Sequence, residues 1–251
     1  DIPFWSVILG AEISGTADLT GYAVNLKALT APIVTVTLAQ DGAAQGFKLF
    51  KATGKSITNG GEALGTLALS RVNNSWAWLS RFQVASTELD TIAFANGQLW
   101  TALSNGAQVN LDTLGFALLR KVQGLTGSYH NKPWTCITST NDYSLINRNR
   151  VIYKAIDNVR TILLPETGGD IQVNADGTIK LDKIGYFEGL GQQALATMVS
   201  DGELSDYQII INPAQDIVTT GILDVIAELL PVGTSDFIRV NIGFVTQLSS
   251  Q

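Results

Sequence analysis

Residues 201–245 read DGELSDYQIIINPAQDIVTTGILDVIAELLPVGTSDFIRVNIGFV. The stretch holds three apolar runs rich in β-branched residues, separated by turn-forming Asp, Asn, Pro and Gly. We predict strands over residues 207–211, 222–230 and 237–245, although helical spacing fits the second run nearly as well. The last run alternates between apolar and polar side chains. Its apolar face comprises Ile238, Val240, Ile242 and Phe244, and its polar face comprises Arg239 and Asn241.

Two helices are predicted immediately upstream of this stretch. Residues 142–164 carry apolar side chains at helical spacing, and Pro165 ends the segment. The predicted apolar stripe consists of Leu145, Ile152, Ile156, Val159 and Leu163. A second helix over residues 186–200 stops at Asp201-Gly202.

The first half of the chain alternates strand and helix signals, which indicates an α/β layer structure. Asp18 and Thr20 are candidate N-caps of a helix that runs to Leu29. The other predicted elements are strands over residues 33–38, 116–120 and 135–138 and helices over residues 43–50 and 62–72.

The charge of the chain is distributed unevenly. The net charge of −6 argues against general nucleic-acid binding. From Ile184 onward there are eight acidic residues against Arg239 alone, whereas the first 183 residues hold 15 basic and 14 acidic residues. This C-terminal acidity is either a solvated face or a docking surface for a basic partner. The candidate residues of such a surface are Glu203, Asp206 and Asp216.

The composition also indicates the cellular environment in which the protein folds. The single cysteine, Cys136, excludes an intrachain disulfide and fits a reducing environment. No signal peptide opens the sequence and no apolar run reaches the length of a membrane span, so we expect no membrane insertion. The chain begins at Asp1 without an initiator Met, so we expect it to derive from a longer product.

Residues that carry chemistry are scarce. His130 is the only histidine, which excludes a two-histidine zinc site. It could pair with Cys136 as base and nucleophile, but a buried inert thiol is far commoner. Residues 189–194 match G-x-G-x-x-A, yet the segment before them is a poor buried strand, and close helix packing explains the small residues better. We therefore predict no catalytic, cofactor-binding or metal-binding residue.

Several segments, taken in order, resemble tail-sheath proteins of contractile phages and related injection machines. Together they extend over about residues 61–244, and the ordered set is more specific than any single piece. The segments are GEALG at 61–65, RV at 71–72, GLTGSY at 124–129, DY at 142–143, NRV at 149–151, KA at 154–155, LP at 164–165, GELS at 202–205, INP at 211–213, TT at 219–220, PVG at 231–233 and IGF at 242–244.

The resemblance implies an α/β sheath-type domain over residues 1–138 and an α+β C-terminal domain with a mixed sheet over residues 139–251. It implies a structural subunit, not an enzyme, that polymerises as stacked six-fold rings around a tail tube and contracts to drive the tube through an envelope. The implied partners are other copies of the chain and the tube, baseplate and terminator proteins, without nucleic acid or cofactor. The implied location is a virion tail or a contractile particle in the bacterial cytoplasm.

In this family, terminal arms of neighbouring subunits add strands to a recipient sheet by β-augmentation. The residues in the donor position here are Phe237, Ile238, Arg239, Val240, Asn241, Ile242 and Phe244. Two alternatives stay open at this point. One is a nucleotide-binding or hydrolytic α/β enzyme, and the other is a different structural protein of a tail or baseplate.

Overall fold

The computed structural model describes residues 6–9, 24–84, 89–94, 96–236 and 238–240. Its strands are β1 (Ser6–Leu9), β2 (Val34–Thr37), β3 (Gln40–Asp41), β4 (Gln83–Val84), β5 (Ile92–Ala93), β6 (Leu119–Arg120), β7 (Ser128–His130), β8 (Leu204–Ile210) and β9 (Ile226–Pro231). Its α-helices are α1 (Gln45–Thr53), α2 (Gly60–Leu69), α3 (Asn105–Leu114), α4 (Ile146–Leu163), α5 (Leu181–Ser200) and α6 (Ile217–Thr220). Single 3₁₀ turns form at Leu26–Ala28, Trp100–Ala102 and Leu164–Glu166.

The N-terminal half combines a parallel strand pair with small antiparallel sheets. β1 and β2 run parallel, and Ala117 bridges Thr37 in the same sense. β3 pairs with β5, and β7 lies between β4 and β6, in both cases antiparallel. The main buried cluster of this half includes Leu38, Phe94, Trp100, Leu111, Phe116 and Leu119. The described residues thus form a mixed α/β structure, as predicted.

The C-terminal half is built from two helices and a strand ribbon. α4 and α5 pack against each other, and the antiparallel β8–β9 ribbon covers them. The side chains buried between these elements are Val151, Ala155, Ala194, Leu195, Met198, Leu204 and Ile209. A Cβ at Gly191 would lie only 3.0 Å from the Ile209 side chain, so glycine permits this close helix–strand approach. This contact explains part of the small-residue motif at 189–194.

The apolar stripe predicted for residues 142–164 is correct only in part: Leu145 is buried, and Val159 and Leu163 pack against buried clusters. Val151 and Ala155 face the core at 5% and 3% exposure, whereas Ile156 is 49% exposed. The inward side near the start of α4 also carries buried amides: Asn147 donates to the Asn73 carbonyl and Asn149 donates to the Pro32 carbonyl. A prediction from apolar residues alone misses this side of α4, because two of its buried side chains are polar and are hydrogen-bonded.

Several other predictions change at their boundaries. The run over 222–230 forms a strand only from Ile226, because α6 and the turn after it precede the strand. Residues 135–138 form no strand and make one isolated bridge, between Cys136 and Ala31. Of the helix predicted to end at Leu29, the described part is a 3₁₀ turn, and Asp18 and Thr20 lie outside the described residues.

The mixed sheet expected at the C-terminus is replaced, among described residues, by the antiparallel β8–β9 ribbon. Residues 238–240 are not assigned to a strand, and the rest of the predicted strand over 237–245 lies outside the described part of the chain. No helix that the structure describes has both the length and the apolar character needed to cross a bilayer.

Polar contacts join the two halves of the chain. The Arg150 guanidinium donates to the Ser70 hydroxyl at 2.6 Å and to its carbonyl at 3.1 Å. Asn73 Nδ2 donates to the Gly202 carbonyl at 2.8 Å. These bonds fix α4 and the turn before β8 against the loop that follows α2. The predicted domain boundary between residues 138 and 139 stays a prediction.

Candidate functional site

The β8–β9 ribbon has one covered and one uncovered face. Tyr207, Ile209 and Leu229 point toward the helices and belong to the buried cluster or pack against it. The opposite face consists of the cross-strand pairs Asp206–Leu230, Gln208–Glu228 and Ile210–Ile226. We call these six residues the outer face of the ribbon. Leu230 and Ile226 on this face are 57% and 52% exposed.

The ribbon also has open edges. Among the described residues it contains two strands, so each strand has one edge whose backbone groups point away from its partner. A groove of about 520 Å³ lies between β9 and α4. Tyr143, Arg148 and Ile152 line one side of the groove, and Glu228 and Val232 line the other. The ribbon therefore offers both an open edge and an adjoining groove to an extended segment.

Of the three acidic residues predicted to face a partner, Glu203 is not at the surface. Glu203 is 7% exposed, and Lys154 Nζ donates to its two carboxylate oxygens at 2.7 and 2.6 Å. The two residues lie 49 positions apart, so no local pattern identifies the pair. Asp206 and Asp216 are exposed. Asp216 also caps α6 by accepting a hydrogen bond from the Thr219 amide at 3.0 Å.

Residues 238–240 are the described part of the predicted donor segment, and they follow Asp236. Lys132 Nζ contacts Asp236 Oδ2 at 2.6 Å and so anchors the segment to the N-terminal half. Beyond this ion pair, Ile238 and Val240 are 84% and 70% exposed. Arg239 is exposed as well. The other predicted donor residues, Phe237, Asn241, Ile242 and Phe244, lie outside the described residues.

The residues weighed for enzyme chemistry occupy structural positions. His130 is fully buried, its Nε2 lies 2.9 Å from Glu62 Oε1, and its ring stacks on Trp76 with centroids 4.3 Å apart. Burial raises the pKa of the Cys136 thiol, which opposes formation of a nucleophilic thiolate. The motif at 189–194 lies inside α5, so the dinucleotide hypothesis, which requires a strand-to-helix turn there, is wrong. The described part of the chain holds no cluster of three metal-ligating residues.

Glu62 makes the stability of the protein sensitive to acid. Burial by itself raises the pKa of Glu62, but the hydrogen bond and charge of His130, with hydrogen bonds from Thr66 and Asn59, outweigh it and hold the pKa below its usual value. A carboxylate with a lowered pKa stabilises the fold above its unfolded pKa of about 4.3, and this contribution is lost as pH falls through the folded value.

We therefore expect Glu62→Gln to lower the melting temperature at pH 7 and to lose less stability than the wild type as the pH falls below about 4.3. Melting followed by circular dichroism at several pH values measures this difference. Glu228→Gln, at an exposed position on β9, is the matched control and should follow the wild-type curve. Parallel curves for Glu62→Gln and wild type would contradict the expectation.

Three cryo-EM structures share this fold. A chain of the anti-feeding prophage baseplate, 6-fold symmetrised, superimposes with a TM-score of 0.63 at 12% identity, over 97% of this chain and 61% of that one. The sheath of the extracellular contractile injection system PVC, in its contracted state, gives 0.63 at 15% identity, over 96% and 64%. The contracted helical sheath of the anti-feeding prophage gives 0.63 at 14% identity, over 94% and 60%.

The chain has the fold of contractile sheath proteins. The resemblance drawn from the sequence is thereby confirmed at the level of the fold. The sheath-type chain described here spans about three fifths of the length of each of these structures. Residues 142–249, under half of the chain, match the family described as DUF2586, C-terminal domain. Curated protein sequences show no significant match.

Proposed function

We propose that this protein is a structural subunit of a contractile sheath, which polymerises as stacked six-fold rings around a tail tube and contracts to drive that tube through an envelope. The observation that carries the proposal is the sheath fold, which extends over at least 94% of the chain in all three matches. Two of these structures are sheaths in a contracted state. The proposed role is mechanical and needs no cofactor.

The uncovered ribbon supports assembly through strand addition. Residues 237–244 of one copy would lie along the open ribbon edge of a neighbouring copy and form main-chain hydrogen bonds. The alternating apolar side chains of this segment, among them Ile238 and Val240, would then cover apolar surface such as Ile226 and Leu230. These four side chains are at least half exposed in the isolated subunit, so their burial between copies is favourable.

Charge supports a second contact. Asp206 and Glu228 are exposed diagonal neighbours on the outer face, and Asp216 is exposed on α6. In our proposal these carboxylates face a basic surface of the tube or of an adjacent ring. Exposed charge pairs are weak and screened by salt, which suits a contact that must be released during contraction.

The remaining partners follow from the same role. A sheath begins on a baseplate and ends at a terminator protein, so we propose contacts with both. The particle would be a virion tail or a contractile particle assembled in the bacterial cytoplasm. A baseplate subunit with a sheath-type fold is the second candidate, because the anti-feeding prophage baseplate contains a similar chain.

Negative-stain electron microscopy of the full-length protein, expressed with and without its tube protein, tests the proposal. The expected result is rods of stacked rings whose length follows that of the tube. Antibody labelling along the whole rod supports a sheath, whereas labelling at one end supports the baseplate alternative. Monomeric protein under all conditions, with tube present, would refute both.

Reversing Asp206 and Asp216 together to Lys tests the acidic contact. Both side chains are exposed, but Asp216 caps α6, so the free energy of unfolding should fall by about 0.5–2 kcal/mol, the usual effect of losing a helix cap. Assembly on the tube, measured by pelleting, should fall several-fold at low salt and approach the wild-type level as salt screens the contact in both proteins. Glu203 is left out of this variant because its reversal would place a buried positive charge beside Lys154.

Asp157→Lys is the matched control, since Asp157 is exposed on α4 and lies outside the proposed surface. Equal assembly by the control and the double variant at every salt concentration would exclude the acidic contact and leave strand addition in place.

A further inference from the structure

The helix α2 turns an apolar face toward solvent. Its exposed residues recur every three or four positions, as expected for one side of a helix. They are Gly61, Leu64, Gly65, Ala68 and Leu69. Leu64 is 53% exposed and Leu69 is 87% exposed. We call this set the outward face of α2, and none of its side chains is polar. The usual arrangement, in which polar residues of a surface helix face water, is reversed here.

Buried contacts on the other side fix the orientation of this helix. Ala63 is fully buried in a cluster with Trp76. Glu62 accepts hydrogen bonds from the Thr66 hydroxyl at 2.8 Å and from Asn59 Nδ2 at 3.2 Å, and it also contacts His130. Rotating α2 to hide its leucines would break these bonds and leave the buried side chains of His130 and Asn59 without their partner Glu62. The apolar face is therefore held outward by the rest of the fold.

The shape of the outward face favours a close-packed partner. Apart from the adjacent residues and the backbone of α2 itself, no heavy atom lies within 4 Å of the positions that a Cβ would take at Gly61 or Gly65. The backbone of α2 is thus open between the two leucines. Helices pack at interaxial distances of about 8–10 Å, and small residues at the contact allow the shorter end of this range. The face offers a shallow apolar slot with a leucine on each side.

We propose that the outward face of α2 packs against a second copy of this chain inside the assembled sheath. The proposal rests on the proposed function. α2 has ten residues and so is about 15 Å long and about 10 Å wide, which provides on the order of 150–200 Å². A stable binary complex needs about 800 Å² from each partner. An apolar contact this small persists only where other contacts hold the same partners together, as between copies in a polymer.

The outward face of α2 has no charged side chain, and in this it differs from the acidic surface proposed around Asp206 and Asp216. The face carries no group that would attract a basic tube, and its burial would gain free energy from apolar area alone. The structures that share the fold come from a 6-fold symmetrised baseplate and a helical sheath, and both symmetries repeat copies of a chain. A second copy is therefore the occupant that the fold, the area and the lack of charge favour together.

The first test changes the surface without changing the core. Leu64→Gln with Leu69→Gln should leave the melting temperature of the free subunit unchanged or slightly raised, because both side chains are exposed. The protein concentration needed for tube-templated rods should rise at least tenfold, since two apolar side chains then stay in water. Leu49→Gln is the matched control, as Leu49 is 50% exposed on α1, and it should assemble as the wild type does.

The second test identifies the occupant directly. Full-length protein with p-benzoylphenylalanine in place of Leu69 is assembled with tube, irradiated and digested for mass spectrometry. Adducts between two copies of the chain are the expected result. Adducts to the tube, adducts within one chain, or rods without any adduct would overturn the inference and leave the proposed function intact. Failure of the wild type to form rods would instead refute the proposed function.

Discussion

Removal of residues 237–251 is expected to abolish rod formation and to leave the subunit folded. Among the described residues β8 pairs with β9 alone, and the side chains of Ile238 and Val240 bury little surface. Their loss should therefore shift the melting temperature by only a few degrees. In the assembly the same segment would supply a whole strand, so the defect in polymerisation should be complete.

The truncated subunit also allows a mixing experiment. It keeps the recipient ribbon and lacks the donor segment, so it should accept a strand from a wild-type copy and donate none. Rods of wild-type protein should shorten when a small fraction of truncated protein is added before assembly, as seen by electron microscopy. The control carries Ile238→Thr and Val240→Thr, which keep the strand propensity and remove part of the apolar surface. This control should assemble at higher protein concentration, and normal rods from the truncated protein alone would exclude strand donation.

Leu195→Ala is expected to destabilise the protein strongly. Leu195 is fully buried where α5 meets α4 and β8, in a cluster with Met198 and Ile209. Its truncation leaves a cavity and should lower the free energy of unfolding by about 3 kcal/mol. Urea unfolding followed by circular dichroism measures the change. Leu181→Ala on the same helix is the matched control, because Leu181 is 78% exposed and its truncation should cost less than about 0.5 kcal/mol.

The same variant tests the predicted domain boundary. All five tryptophans precede residue 139, whereas α4 and α5 contribute 18 and 20 helical residues after it. If residues 1–138 and 139–251 unfold as separate units, Leu195→Ala should lower the midpoint seen by circular dichroism and leave the tryptophan fluorescence midpoint in place. A common shift of both midpoints would show one cooperative unit, joined through contacts such as that of Arg150 with Ser70.

Local sequence signals predicted the longer helices and strands and some of their ends. The β-branched run before Leu38 became β2, the run that ends at Asn212-Pro213 became β8, and Asp201-Gly202 ended α5. These features depend on backbone preferences and on neighbouring side chains, so a short stretch of sequence contains them. The resemblance to sheath proteins rests on many such segments in order, and the shared fold confirmed it.

Only the tertiary structure decided which side chains of these elements are buried, paired or exposed. The sequence by itself determined that the C-terminal quarter is acidic and rich in strands, but not that Lys154 would bury and neutralise Glu203. It placed an amphipathic helix before Pro165, but it did not show that Val151 and Ala155 would be buried while Ile156 stays exposed. Nothing in the local pattern of α2 distinguishes leucines that point outward from leucines that fill a core. Each of these outcomes depends on a partner distant in the chain, and periodicity within one segment carries no information about that partner.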